Sequence, residues 1–201
     1  MYILSKKGTA YAVIVAWLLV HTTVWACGRE RWPVKVASDP DAQRIVAAPE
    51  PTNIALLSQI LAPLHPENRR DSRYAPTEPK TFEVTGSLIV IKPEDDQDYH
   101  IVIRDQRGRT MIVESPHPDC ATGSRFGQEI SAVRSKIEAH FGGPILRKTR
   151  PQNLRVSVTG IGFFDRKHGQ EGVATNGIEL HPILEIVFNP HDNEFRRGGP
   201  E

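Results

Sequence analysis

The sequence has little of what usually announces chemistry. Two cysteines in 201 residues leave no Cys-x-x-Cys pair for zinc or redox work, and neither a Gly-x-Ser-x-Gly elbow nor a His-Glu-x-x-His pair occurs. Gly160-Ile161-Gly162 lacks the third glycine and the following helix of a dinucleotide loop, so it reads as a strand packed against a close neighbour. A charge excess of one sign is also missing, since 25 Lys and Arg stand against 24 Asp and Glu. Proteins that grip nucleic acid without regard to sequence do so by neutralising phosphates, so the even balance disfavours strong nonspecific nucleic-acid binding. The longest apolar run, Ala10 to Val20, is about half of the roughly 20 residues that a membrane-spanning helix needs. Long internal repeats and low-complexity tracts are absent.

What is present begins with an address. Lys6 and Lys7, the apolar run and the small residue Ala26 read as a signal peptide over residues 1–26, so the chain is expected to be exported, either periplasmic or secreted. Cleavage removes two lysines and no acid, leaving 23 basic against 24 acidic residues. Cys27 and Cys120 remain, and in an oxidising compartment the pair is expected to close a disulfide. A loop of that length carries about 4 kcal/mol in loop-entropy models. The alternative is that Cys27, directly after Ala26, is the lipid-modified first residue of a membrane-anchored envelope lipoprotein, although Trp25 fits poorly before such a site. Contact with a membrane is expected only in that case.

From residue 27 to 80 eight prolines break up any long regular element, and this half is expected to be extended or loosely wrapped. Its one helical stretch is Thr52 to Ala62, capped by Thr52 or Asn53, with Ile54, Leu57, Ile60 and Leu61 on one face. Trp32 is the natural anchor for the segment. Strands follow at Thr81 to Lys92, with Gly86 marking a bulge or bend, then at Tyr99 to Arg104 and Arg109 to Ser115. Ser124 precedes a helix with Phe126, Ile130, Val133, Ile137 and Phe141 on one face, ended by Gly142-Gly143-Pro144. Two more strands, Leu154 to Phe164 and Gly177 to Phe188, lead to a polar tail over 189–201 expected to be disordered. The fold class is therefore mostly β with one main helix. Three strands, a helix and two strands is the order of the five-stranded Greek-key barrel called the OB-fold, here over 81–188 and preceded by the Pro-rich segment.

Several stretches are similar to a known group. Phe163-Phe164-Asp165, His168-Gly169-Gln170, Gly172-Val173-Ala174 and Asn176 to Pro182 resemble a motif of exported bacterial proteins of uncharacterised activity. Glu30 to Lys35, Asp98 to His100, Thr110 to Glu114, Pro118 and Cys120 match the same group, so the resemblance spans nearly all of the mature chain and implies kinship without an activity. The first three strands also look like the start of staphylococcal-nuclease-type domains. Asp98, Arg109 and Glu114-Ser115-Pro116 occupy the places of acidic and phosphate-holding residues there. The pattern then departs, because His117 stands where a carboxylate belongs and the second arginine has no counterpart, leaving His117 and Asp119 as the nearest substitutes.

In OB-folds the loop between the last two strands and the face of strands two and three commonly form the ligand groove. Asp165, His168, Gln170 and Asn176 lie in that loop, Glu179 and His181 close it, and side-chain alternation puts the last two on one face. His100 and Glu114 join from the second and third strands. Such a set can bind a partner or supply a general acid and base. Equally, His168-Gly169-Gln170 can simply order the loop, and His181-Pro182 can simply end a barrel-edge interaction. Cofactors are not expected, although a divalent metal held by Asp165, His168 and His181 fits the residue types. Glu94-Asp95-Asp96-Gln97-Asp98 reads as a charged hairpin turn rather than a calcium loop. The leading expectation is a non-enzymatic binding module for an oligonucleotide, an oligosaccharide or a protein. A metal-dependent hydrolase, such as a nuclease, and a structural lipoprotein are the alternatives.

Overall fold

The computed structural model describes residues 27–190. The stretch expected to be a signal peptide, residues 1–26, and all of the expected 189–201 tail but Asn189 and Pro190 lie outside the described residues. Among those described, no helix is long and apolar enough to cross a membrane.

The chain is mostly β, with strands β1 (Val46–Thr52), β2 (Lys80–Pro93), β3 (Tyr99–Arg104), β4 (Thr110–Ser115), β5 (Leu154–Phe164) and β6 (Ile178–Phe188). Their order is β1-β2-β3-β4-β6-β5, and β5 also pairs with β2. Strands β2 to β6 thus close an OB-type barrel. β4 and β6 run parallel and the other barrel pairs antiparallel. Closure depends on β2, whose first half pairs with β5 from Thr81 to Leu88 and whose second half pairs with β3 from Ser87 to Pro93. The ladder slips between Leu88 and Val90 and not at Gly86. Gly86 is instead a place of close approach, where a Cβ would stand 3.1 Å from the carbonyl oxygen of Arg104.

The main helix (Gly127–Phe141) buries Ile130, Val133 and Ile137, packs on β6, and ends at Gly142 in a left-handed conformation. Ser124 lies outside the helix, where its Oγ accepts from Phe126 N at 3.0 Å. The short helix in the first half covers only Ile54–Leu57, with Asn53 Oδ1 accepting from Leu56 N. It stops early because Asn176 Nδ2 donates to the carbonyls of Leu57 and Ile60, both at 2.9 Å, and Leu61 is left exposed.

The Pro-rich half holds no element longer than seven residues, yet it is not loosely wrapped. Prolines limit regular structure there, but polar anchors replace it. Arg31 is buried, and each of its five N–H groups has an acceptor: Nε donates to Arg69 O, Nη1 to Glu78 Oε1 and Phe164 O, and Nη2 to Glu78 Oε2 and Ser72 O. Glu78 is equally enclosed, accepting also from the backbone N–H groups of Phe164 and Tyr74. The guanidinium lies between the rings of Phe163 and Tyr74. A second buried pair joins Arg73 to Asp39 at 2.6 Å. Strand β1 adds to the open side of β2 in parallel, and Pro49 and Pro51 deprive this exposed edge of donors. Cys27 and Cys120 form a disulfide with Cα atoms 5.5 Å apart. The sulfur of Cys27 is therefore engaged in the bond that the cysteine pair was expected to form. Trp32 reinforces the junction by donating from its indole N–H to Cys120 O at 3.0 Å.

Breaking a buried ion pair strands its partner, so Glu78→Ala is expected to cost about 3–5 kcal/mol of stability, read as a lower urea midpoint. Replacing Arg31 and Glu78 together with Met and Leu is expected to cost less than Glu78→Ala alone.

Candidate functional site

The site lies on the outer face of the barrel, on β3, β4 and β6, where His100, Glu114, Glu179 and His181 alternate with the core residues Ile101, Val113 and Leu180. His100 and Glu114 are directly opposed in that ladder. His100 Nδ1 lies 3.1 Å from Glu114 Oε1 and 3.5 Å from Glu94 Oε1, and Nε2 donates to the carbonyl of Glu171 at 2.9 Å. Both ring nitrogens thus face acceptors, which favours the imidazolium. Burial opposes that charge, but Glu114 and the Glu171 carbonyl prevail and raise the His100 pKa.

Behind Glu114 sits His181, fully buried on β6. Its Nδ1 lies 3.0 Å from Glu114 Oε2, and its Nε2 lies 3.1 Å from Asp98 Oδ2. Neither approach is aligned as a hydrogen bond, so both ring nitrogens and both Asp98 carboxylate oxygens lack an aligned partner. The attraction is still large at these distances in a water-free setting. Burial works to lower the His181 pKa, yet the two flanking carboxylates push it up to about 9. Asp98, the only acid of the β2–β3 turn with no exposure, is pushed up to about 6 by burial against the pull of His181. The charged stretch is the β2–β3 hairpin turn as expected, and Asp98 is its one acid drawn inside. For Glu114 burial acts upward, but His100 and His181 hold it well below the usual carboxylate range.

In front of this chain of alternating charges opens a cleft of about 470 Å³. His100, Glu114, Asp165, His168, Gln170 and Glu179 all line it. Two sequence candidates do not. His181 lies behind Glu114, and Asn176 turns away to hold the short helix. The expected metal set of Asp165, His168 and His181 is not assembled. His168 is exposed and stands 4.0 Å from Asp165, whose Oδ2 instead accepts from Gln170 Nε2 at 2.8 Å. The group that could hold a metal is Asp98, Glu114 and His181, with ligand atoms all within 4.8 Å of one another and donor types that suit zinc or manganese. Arg109 is paired with Asp105 in the turn at the opposite end of the β3–β4 hairpin, and His117 and Asp119 lie in a short helical turn outside the cleft lining. The nuclease-like arrangement therefore stops at Asp98 and Glu114.

Lys35 was not among the sequence candidates, yet it reaches the same cleft from the first helix (Trp32–Lys35). Burial acts to lower its pKa, but Glu114, Asp165, Glu179 and Asp98 together raise it. No local pattern marks this lysine, because its neighbours come from four distant segments. Glu179 is the other group that stands apart. It is 2% exposed and makes no hydrogen bond or ion pair among the described residues. Burial first, then the charges of Glu114 and Asp165, raise its pKa well above the normal value against the pull of Lys35.

No family model matches the chain. No curated protein matches it either. A solved structure similar to it is "OBody AM3L09 bound to hen egg-white lysozyme", at 13% identity over 55% of this chain and 81% of that one, with a TM-score of 0.36. A likeness of that strength carries no argument about function.

The His181 pKa lies above its unfolded value of 6.5, so its stabilising contribution is complete below about 6.5 and is lost as pH rises through about 9. The expected loss is of order 3 kcal/mol, given 1.36 kcal/mol per pKa unit. Urea unfolding at pH 7 and pH 10 checks it. His181→Asn is expected to be weaker at pH 7 and to lack the alkaline step.

Proposed function

We propose that this chain is an exported binding module that takes a hydroxyl-rich chain of the oligosaccharide class in the cleft beside β3, β4 and β6. The observation that carries this reading is Glu179, a carboxyl that is 2% exposed, lines the cleft and makes no hydrogen bond or ion pair among the described residues. A polar group in that state costs free energy until something bonds to it, and ligand hydroxyls supply both donors and acceptors. The lining is acidic, with Glu30, Glu94, Asp95, Asp96 and Asp165 around the same opening. Such a surface repels phosphate, so among the three partner classes an oligonucleotide is the least favoured. The signal-peptide pattern supports export, and the disulfide is compatible with an oxidising compartment.

Titration with chitohexaose, cellohexaose and an oligothymidylate, followed by NMR, tests this. At least one sugar is expected to bind, and Glu179→Ala with His168→Ala is expected to weaken it tenfold or more. Tighter binding of the oligothymidylate, or no binding of either sugar, sinks the proposal.

The grouping of Asp98, Glu114 and His181 favours a second reading, a metal-dependent hydrolase. On that reading calorimetric titration with Zn²⁺ or Mn²⁺ gives one equivalent bound, abolished by Asp98→Asn. A flat titration removes it.

A further inference from the structure

We propose that the cleft selects sugar chains that carry free amines, of the glucosamine type, over chains of the same length whose sugars are neutral or N-acetylated. This rests on the binding reading above and narrows it to one class of sugar.

The composition of the lining gives the first argument. Apart from Cys27 and two glycines, every residue that lines the cleft carries a polar or charged side chain. A neutral sugar gains affinity by packing its C–H faces on aromatic rings, and an N-acetyl group needs an apolar seat for its methyl. This lining offers neither, so charge and hydrogen bonds must tell one sugar from another.

The charges do not balance. Lys92 Nζ meets Glu94 at 2.5 Å, and Glu114 stands 3.1 Å from His100 and 3.0 Å from His181. That leaves Glu30, Asp95, Asp96 and Asp165 with only Arg29 and Lys35 as cations on the same lining. One ammonium is already accommodated there. The carboxyls of Glu114, Asp165, Glu179 and Asp98 all act on that of Lys35, whose Nζ lies 5.7 Å from the centre of the Phe163 ring. The remaining acids set up a field that favours a second cation.

An acidic surface alone would draw any polycation, and Glu179 adds what a sugar can meet. It is 2% exposed, lines the cleft and makes no hydrogen bond or ion pair among the described residues, so its oxygens are acceptors without a donor. An ammonium is a donor only, with three N–H groups, and the hydroxyls beside it both give and accept. An amino sugar carries the two side by side on one rigid ring. An N-acetyl amide in the same place offers one N–H and adds a methyl with no apolar wall to meet.

NMR titration at about pH 6, where the amines of the sugar are charged, compares hexaglucosamine with chitohexaose and cellohexaose. These chains share length and linkage and differ at one carbon of each ring. Hexalysine is the control for bare positive charge. Hexaglucosamine is expected to bind about tenfold more tightly than either neutral sugar at low salt, an advantage that a few exposed charge pairs can supply and that falls toward parity in concentrated salt. Glu30→Gln with Asp95→Asn removes two exposed acids that make no hydrogen bond or ion pair among the described residues. That variant is expected to cut the advantage by about threefold or more and to leave the affinity for cellohexaose unchanged. Equal affinity for the three sugars, tighter binding of chitohexaose, or a variant that keeps the full advantage overturns the amine preference and leaves the binding reading in place. Hexalysine bound as tightly as hexaglucosamine assigns the attraction to charge alone and overturns the preference too. If neither neutral sugar binds, both readings fall.

Discussion

The enclosed ion pair of Arg31 with Glu78 ties the first half of this protein to its barrel through Phe164, whose carbonyl accepts from Arg31 and whose N–H donates to Glu78. The guanidinium has all five donors placed and the carboxylate accepts from two backbone groups besides, so neither charge is left bare in the interior. One of the bonds from Arg31 goes to Phe164 O, which ties the N-terminal segment to the end of β5 beside the cleft. Lys35, one turn further along, is thereby carried to the acidic cleft. The disulfide and the indole bond of Trp32 fix the same segment to Cys120 from the other side. Without these anchors the cleft would lose Lys35 and the wall formed by residues 27–30.

The cleft shows how a small barrel tolerates several carboxylates out of water. Asp98, His181, Glu114 and His100 alternate acid and base along one line, so each charge except the end ones meets an opposite charge on two sides. That order supports Glu114 as an anion even though burial disfavours it. Glu179 stands outside the line, and its neighbours of like charge leave neutrality as the cheaper state. Two glutamates on adjoining strands thus meet opposite surroundings, histidine nitrogens around one and acids around the other.

The barrel was legible because its strands are written in short-range pattern. The β-branched runs at Tyr99 to Arg104 and Leu154 to Phe164 fall at the very residues expected, and the helix between the third and fourth barrel strands is marked by the spacing of Ile130, Val133 and Ile137. The site was half legible. His100, Glu114, Asp165, His168, Gln170 and Glu179 meet in one cleft, whereas His181 is drawn behind Glu114 and Asn176 serves the short helix. Strand alternation places Glu179 and His181 on one face but does not say how deep each lies. The metal set failed for a related reason: proximity in the loop does not bring His168 inward when Gln170 already occupies Asp165.

By itself the sequence determined the order of elements and the mostly β barrel, because periodicity and turn residues act locally, and it offered one partner for each cysteine. Only the tertiary structure decided that the Pro-rich half is built on buried arginines, that Lys35 enters the cleft, and that Asp98 lies buried while the neighbouring turn acids do not. Those outcomes depend on which distant groups share a water-free space. The energy of a charge is set by that company and not by the residues next to it in the chain.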